Sequence, residues 1–313
     1  MKIVFLDRKT VGDDLDLSRF GDFGEVVMYD FSAPEEVPER IKDADVIILN
    51  KVPVDERTIG QAKCLKLVCI TATGTNNLDK EYLEKRGIAW RNVAGYSTNS
   101  VAQHTFAALL YLYEKLAYYD SYVKEGHYIE DRMFTHFARV FPELAGKVWG
   151  IVGLGAIGNR VAEIAEAFGC RVQYYSTSGK HDSERFRRVG WNTLLETSDI
   201  ISIHAPLNEN TFHLVDHQAF KRMKSTAYLI NMGRGPILVE EDLKDALEKG
   251  QIAGAAIDVL EEEPMKSDHP LKDFKDSTRL LITPHIAWAG VEARKRLIDT
   301  IYSQIQAFVS ETD

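Results

Sequence analysis

Three short blocks of the sequence carry residue types that could do chemistry together. They are Ile230-Asn231-Met232-Gly233-Arg234-Gly235, Asp258-Val259-Leu260-Glu261-Glu262-Glu263-Pro264 and Thr283-Pro284-His285-Ile286-Ala287-Trp288. Each follows a β-rich run, and ligands of open α/β sheets bind outside the carboxyl ends of the strands. An Arg, a carboxylate and a His so placed suit the reduction of a 2-oxo acid. Arg offers a rigid, permanently charged fork that holds a carboxylate and polarises a ketone. His can give a proton to the carbonyl oxygen near neutral pH as hydride reaches the carbon. A carboxylate beside the imidazole fixes its tautomer and favours its protonated form. Glu261, Glu262 and Glu263 all compete for that supporting role.

A fourth block suits a hydride carrier. Gly153-Leu154-Gly155-Ala156-Ile157-Gly158 is a G-x-G-x-x-G pattern. It follows a strand-like run over 147–152 and opens a helix-like run that ends at Gly169, with a second strand-like run at 171–175. Gly153 permits the tight turn, Gly155 lets the backbone approach a pyrophosphate, and Gly158 lets the helix pack close to the sheet. The helix start at Ala156 and Ile157 presents free amides and a positive dipole end to the phosphates. A carboxylate is expected about 20 residues further on, for the adenosine ribose. The chain instead reads Ser176-Thr177-Ser178-Gly179-Lys180-His181. Ser176 can contact a ribose hydroxyl but cannot repel a 2′-phosphate, and Ser178 and Lys180 could hold one. NAD is the expected cofactor, with NADP possible.

These blocks need strands to position them. Over the first hundred residues, β-rich runs at 3–6, 26–29, 46–49, 67–70 and 88–90 alternate with polar amphipathic stretches such as 34–44 and 55–62. A second series has strand candidates at 148–152, 171–175, 200–204, 227–231, 254–258 and 280–283, followed by an amphipathic helix over 291–309. Alternation of this kind predicts βα units and parallel sheets. Between the two series, Ser100-Val101-Ala102-Gln103 has the form of a capping box. It opens an apolar-periodic helix reaching about Val123, with Gly126 as its stop. The spacing predicts two doubly wound α/β domains. A Rossmann dinucleotide-binding domain at 99–286 is inserted into a flavodoxin-like substrate domain made of 1–98 and 287–313. Two chain crossings would then make a hinge around a cleft.

The chain has 313 residues, which at ~100–200 per domain also suggests two domains. Its 45% hydrophobic and 27% charged residues exclude intrinsic disorder. A net charge of -9 argues against nucleic acid and anionic membranes as partners. The densest basic run, Arg185, Arg187 and Arg188, reads as a solvated helix face. Cys64, Cys69 and Cys170 have no zinc-like spacing and read as small buried hydrophobes, so no metal is expected. The apolar run before Asp7 is too short for a signal peptide or a membrane span, which points to the cytoplasm. His104, His127, His136, His181, His213, His217 and His269 lack a motif and read mostly as surface or helix-face residues.

Together the blocks resemble the D-isomer-specific 2-hydroxyacid dehydrogenase family, over nearly the whole chain. The resemblance takes in the N-terminal α/β half, the helix at Ser100, the Gly153 fingerprint, His204-Ala205-Pro206-Leu207 and all three catalytic blocks. It implies that Arg234 binds substrate, that His285 is the acid/base, and that the residue before the proline, Glu263, supports His285. Glu261 and Glu262 are then solvated. It also implies that Asp258 bonds the nicotinamide carboxamide and that His204, Ala205 and Pro206 line the adenine side. Met232, Gly233 and Ala287 join the cofactor-binding set. Thr73, Gly74 and Thr75 resemble a loop whose amides hold the substrate carboxylate. Lys51 either adds charge there or is a loop lysine in water.

Two stretches, Ser100-Val101-Ala102-Gln103-His104-Thr105-Phe106 and His285-Ile286-Ala287-Trp288-Ala289, are similar to the glycerate dehydrogenase (hydroxypyruvate reductase) group. Hydroxypyruvate/D-glycerate is the expected pair, with pyruvate, glyoxylate and bulkier 2-oxo acids as alternatives. The resemblance implies a two-fold dimer through the long helix, where Tyr111, Tyr113, Tyr118, Tyr119 and Tyr122 read as core or interface. A rival of another class is a dinucleotide-sensing corepressor on the same fold.

Overall fold

A computed structural model describes residues 1–180 and 182–312, so His181 lies outside the described residues. The chain forms two compact units. One is Met1–Ser97 together with the segment from Ala289 onward, and the other is Thr98–Trp288.

The first unit holds five parallel strands, β1 (Lys2–Phe5), β2 (Glu25–Met28), β3 (Val46–Leu49), β4 (Leu67–Ile70) and β5 (Ala89–Arg91), in the order β2-β1-β3-β4-β5. This is the flavodoxin-like arrangement. β3 and β4 are buried along their whole length, which is why they read as unbroken apolar runs and do not alternate. The helix Val291–Thr312 belongs to this unit despite its place in the sequence. It buries Leu297, Ile298, Ile301 and Ile305. Arg296 Nη2 donates to the Tyr96 carbonyl at 2.9 Å and Gln304 Nε2 to the Asn92 carbonyl at 2.9 Å.

The second unit holds seven parallel strands, β6 (Val148–Val152), β7 (Arg171–Tyr175), β8 (Arg187–Arg188), β9 (Ile200–Ile203), β10 (Tyr228–Asn231), β11 (Gly254–Ile257) and β12 (Leu280–Ile282). Their order is β12-β11-β10-β9-β6-β7-β8. The winding reverses between β6 and β9, so the loops after these strands border the ligand-binding switch point of a Rossmann sheet. Adjacent strands pair in strict register, Ile257 opposite both Asn231 and Ile282. The loops after β10, β11 and β12 therefore leave the sheet at one level.

Several expectations are corrected. The long helix is two, Thr98–Tyr113 and Leu116–Lys124, broken at Lys115 in the left-handed region (φ 58°). Lys115 Nζ reaches the Tyr228 hydroxyl at 2.8 Å and the Thr278 carbonyl at 3.1 Å, anchoring the break to the sheet's end. The helix begins at Thr98, so Ser100 and Gln103 lie inside it and do not cap it. Stretches 34–44 and 55–62 shorten to single turns at Pro34–Glu36, Val37–Arg40 and Glu56–Ile59. Arg187 and Arg188 form an exposed edge strand and no helix face. Cys64 is exposed. Cys69 and Cys170 are buried, and burial pushes their thiols up to about 12 and about 11. Among the described residues no helix is long and apolar enough to cross a membrane, and no cluster could hold a metal ion.

Candidate active site

The glycine loop is shaped by backbone contacts that only hydrogen atoms can fill. Gly153 has φ 90°, and a Cβ there would lie 2.9 Å from the Ala205 backbone. A Cβ on Gly158 would lie 2.1 Å from the Gly153 carbonyl oxygen, so the helix Ala156–Ala167 can start only with glycine at its third position. A Cβ on Gly155 meets nothing within 4 Å, so this glycine faces open space. At the end of β7, Ser176 is only 7% exposed, and its hydroxyl has no partner. Beyond it Thr177 is half-buried while Ser178 and Lys180 are exposed. Arg188 Nη1 donates to the Gly179 carbonyl at 3.2 Å and to Asp182 Oδ1 at 2.8 Å, so an ion pair without a sequence signal flanks this turn.

After β9, His204 is half-buried as a residue, yet both ring nitrogens are shut off from water and unpartnered. Burial lowers its pKa to about 3, so the ring is neutral. Ala205 is buried under Gly153, and Pro206 is exposed.

The three catalytic blocks meet through backbone. After β10, the buried Asn231 brackets the turn. Its Oδ1 accepts the Gly233 N–H at 3.0 Å and its Nδ2 donates to the Arg234 carbonyl at 3.0 Å. Arg234 is half-buried, with Nη1 donating to the Gly233 carbonyl at 2.8 Å. Met232 packs into the core beneath. A Cβ on Gly235 would lie 1.9 Å from the Leu260 carbonyl group, so the Arg234 turn rests directly on the second block.

After β11, Asp258 is 2% exposed. Its Oδ1 accepts the Ile286 N–H at 2.9 Å and the Thr283 hydroxyl at 2.5 Å, and its Oδ2 accepts the Ala287 N–H at 2.8 Å. The His285 N–H donates to the Asp258 carbonyl at 2.8 Å. His285 itself sits at φ 55°, a region non-glycine residues rarely adopt. Its Nδ1 lies 2.7 Å from Glu263 Oε2, while Glu263 Oε1 accepts the Leu260 N–H at 3.1 Å. Glu261 and Glu262 are exposed and face His213 at 3.8 Å and Lys266 at 2.5 Å.

Of the histidines read as mostly surface or helix-face residues, His104 does lie on a helix face, while His269 departs from that reading. His269 is buried, with Nε2 2.9 Å from Glu240 Oε2 and Nδ1 accepting the Leu271 N–H at 3.2 Å. Glu240 Oε1 in turn accepts the Glu261 N–H at 2.9 Å, so this pair braces the second block. His104, half-buried, reaches the third block, with Nε2 3.1 Å from Thr283 Oγ1. Neither carries a local sequence signal, because each acts on a segment far along the chain. The stacked rings of Tyr122 and His136, 3.8 Å apart, belong to no catalytic block.

In the first unit, Thr73 is exposed and donates its hydroxyl to the Val93 carbonyl at 2.9 Å, while Gly74 and Thr75 are half-buried. Lys51 is exposed at its side chain, and its N–H donates to Asp7 Oδ2 at 2.8 Å. Asp7 is buried, and burial raises its pKa.

Residues 106–287 match the sequence profile of the D-isomer specific 2-hydroxyacid dehydrogenase NAD binding domain. The chain belongs to the D-isomer-specific 2-hydroxyacid dehydrogenase family. It is 36% identical over 315 residues to a hydroxypyruvate reductase of Blautia hydrogenotrophica, covering 99% of this chain and 97% of that one. It is 35% identical over 310 residues to a glycerate dehydrogenase of Methylorubrum extorquens, covering 99% and 96%. A D-lactate dehydrogenase of Aquifex aeolicus, solved with NAD and lactic acid, superposes with a TM-score of 0.86 at 26% identity, covering 99% and 96%. Members of this family are NAD-dependent oxidoreductases acting on CH–OH donors, and the matched region contains the glycine loop, the first two blocks and the third as far as Ala287. The residues present fit a dinucleotide. The glycine loop leaves open space at Gly155, and the buried Ser176 hydroxyl and His204 nitrogens are polar atoms without protein partners.

His204 gives a pH test of this geometry. The unfolded chain takes up a proton near pH 6.5 that the folded chain refuses until about 3, so stability is lost as pH falls through that window. Without dinucleotide this group should cost about 2 kcal/mol between pH 7 and pH 5. Urea unfolding of wild type and His204→Phe at both pH values should show their free-energy difference changing by that amount. A pH-independent difference would contradict a ring held neutral by burial.

Proposed function

We propose that the chain reduces hydroxypyruvate to D-glycerate with Arg234, Glu263 and His285 as its working side chains. The observation that carries the reading is the 2.7 Å His285–Glu263 contact on a block whose backbone rests against the Arg234 turn. Nicotinamide dinucleotide supplies the hydride when bound. The Arg234 guanidinium holds the substrate carboxylate and polarises its ketone. Glu263 accepts the Nδ1–H of His285, fixing the tautomer, and Nε2 delivers a proton to the ketone oxygen. Asp258 has about four lone-pair sites and gives three to the His285 loop, which leaves one for a carboxamide.

Ala156, Ile157, Gly233 and Ala287 complete the proposed dinucleotide lining in the unit Thr98–Trp288, with Met232 acting from beneath. Thr73, Gly74, Thr75 and Lys51 are proposed as substrate-binding residues on the family resemblance alone. Hydroxypyruvate is favoured because two relatives aligned over 99% of this chain bear the names hydroxypyruvate reductase and glycerate dehydrogenase, while glyoxylate reductases aligned over 93% and 97% of it keep glyoxylate as the alternative. The three free cysteines accord with a reducing, cytoplasmic setting.

Steady-state rates with hydroxypyruvate, glyoxylate, pyruvate and a bulkier 2-oxo acid, each with NADH and NADPH, test this reading. Hydroxypyruvate should give the highest kcat/KM, and His285→Ala should lose about 10²–10⁴ in kcat. NADPH should also be accepted, because Ser178 and Lys180 offer a 2′-phosphate donors that Ser176 does not oppose. One charge-assisted hydrogen bond is worth about tenfold or more in affinity, so Ser176→Asp should shift the kcat/KM ratio at least tenfold toward NADH. A tenfold preference for another acid would displace hydroxypyruvate. Rejection of NADPH by a thousandfold would overturn the reading of the Ser176 turn.

A homodimer is proposed through the segment after the second helix. Ile129, Met133, Phe134, Phe137, Val140 and Phe141 are exposed, Phe134 and Val140 at 88%. A patch so apolar marks an association surface, and a second copy offers the same patch by two-fold symmetry. Light scattering should give twice the chain mass at micromolar concentration, and a monomer would defeat the proposal.

A further inference from the structure

One face of the helix Thr98–Tyr113 grips the His285 loop on both sides of the histidine. Ser100 and His104 are four residues apart and share that face. The Ser100 hydroxyl donates to the Ala287 carbonyl at 2.7 Å, two residues after His285. His104 Nε2 lies 3.1 Å from Thr283 Oγ1, two residues before it. Chemistry fixes the direction of this second bond. The Thr283 hydroxyl has one hydrogen and lies 2.5 Å from Asp258 Oδ1, and a carboxylate can only accept. The Thr283 oxygen must therefore accept from His104, and the imidazole carries its proton on Nε2. The chain of donors runs from His104 Nε2–H to the Thr283 hydroxyl and on to Asp258 Oδ1. Bonds in such a chain polarise one another.

We propose that His104 is a positioning residue for the reduction, resting on the reading of His285 as proton carrier. Its Nε2–H orients the Thr283 hydroxyl toward Asp258, and Asp258 then holds the Ile286 and Ala287 amides. Those bonds keep His285 at φ 55°, the conformation that brings Nδ1 to Glu263. A non-glycine residue in that region persists only where its surroundings over-determine it. Without the His104 donor, the Thr283 hydroxyl is free to rotate and the loop spends time away from the productive geometry. That loss falls on the chemical step and spares binding.

The test compares His104→Leu, which keeps bulk without a donor, with His104→Gln, which keeps an N–H. His285→Ala and Thr283→Val are measured alongside. At saturating NADH, His104→Leu should lower kcat for hydroxypyruvate about tenfold. Its KM and the NADH Kd, read by fluorescence, should stay within about twofold of wild type, and His104→Gln should recover most of kcat. Thr283→Val should show a similar loss, and the His104→Leu/Thr283→Val double variant should be little worse than either alone. The proposal is overturned if kcat in His104→Leu is unchanged, if KM and kcat move together without rescue by Gln, or if the two losses multiply in full. In each of those cases His285→Ala keeps its loss of about 10²–10⁴ in kcat. Wild-type kcat in His285→Ala would instead bring down the catalytic reading on which the proposal rests.

Discussion

A carboxylate taken out of water needs hydrogen-bond donors, or it destabilises the fold by several kcal/mol. Asp258 stands at the end of β11 with almost no solvent contact, and all three of its side-chain donors come from Thr283, Ile286 and Ala287. The chain after β12 therefore folds back over that carboxylate. In doing so it takes His285 through the left-handed region and sets its ring against Glu263. Sheet register makes the encounter possible. Ile257 pairs with Ile282, so Asp258 and Thr283 leave the sheet side by side.

The same economy governs the neighbouring loops. Asn231, one strand over, closes the Arg234 turn from beneath with both ends of its amide. The absence of a side chain at Gly235 lets that turn touch Leu260, and the buried Glu240–His269 pair holds the Glu261 amide. At the switch point, Gly153 lies against Ala205, which brings the phosphate loop beside the His204 segment. In each case a buried polar group or a missing Cβ fixes backbone, and the functional side chain follows from where the backbone must go.

How far the sequence foretells this depends on the range of each interaction. The strands of both sheets are legible because buried parallel strands are continuous apolar runs. The glycine loop is legible because two close approaches, at Gly153 and Gly158, demand glycine within six residues, and Gly155 between them leaves open space for a ligand. Blocks at strand ends are legible for the same reason as the strands. Ser100 misleads: S-x-x-Q looks like a local cap, but its hydroxyl serves a carbonyl 187 residues away. His104 and His269 are silent because the partners that tie them to the site, Thr283 and Glu240, lie 179 and 29 residues off. The break at Lys115 interrupts an apolar period that sequence alone extends to Val123, since what ends the helix is a lysine tied to Tyr228 and Thr278. A two-residue edge strand such as Arg187–Arg188 has no periodicity to read.

The account stands on the Asp258 carboxylate as organiser of the His285 loop, and kcat of Asp258→Asn at saturating NADH and hydroxypyruvate addresses it most directly. Asparagine keeps the size, but it turns an N–H toward backbone amides that need an acceptor. A misplacement of about 1 Å in a reacting group costs roughly 10²-fold. The account predicts a kcat loss of that order in a folded variant that still binds NADH. A folded Asp258→Asn enzyme with kcat within about twofold of wild type would contradict it.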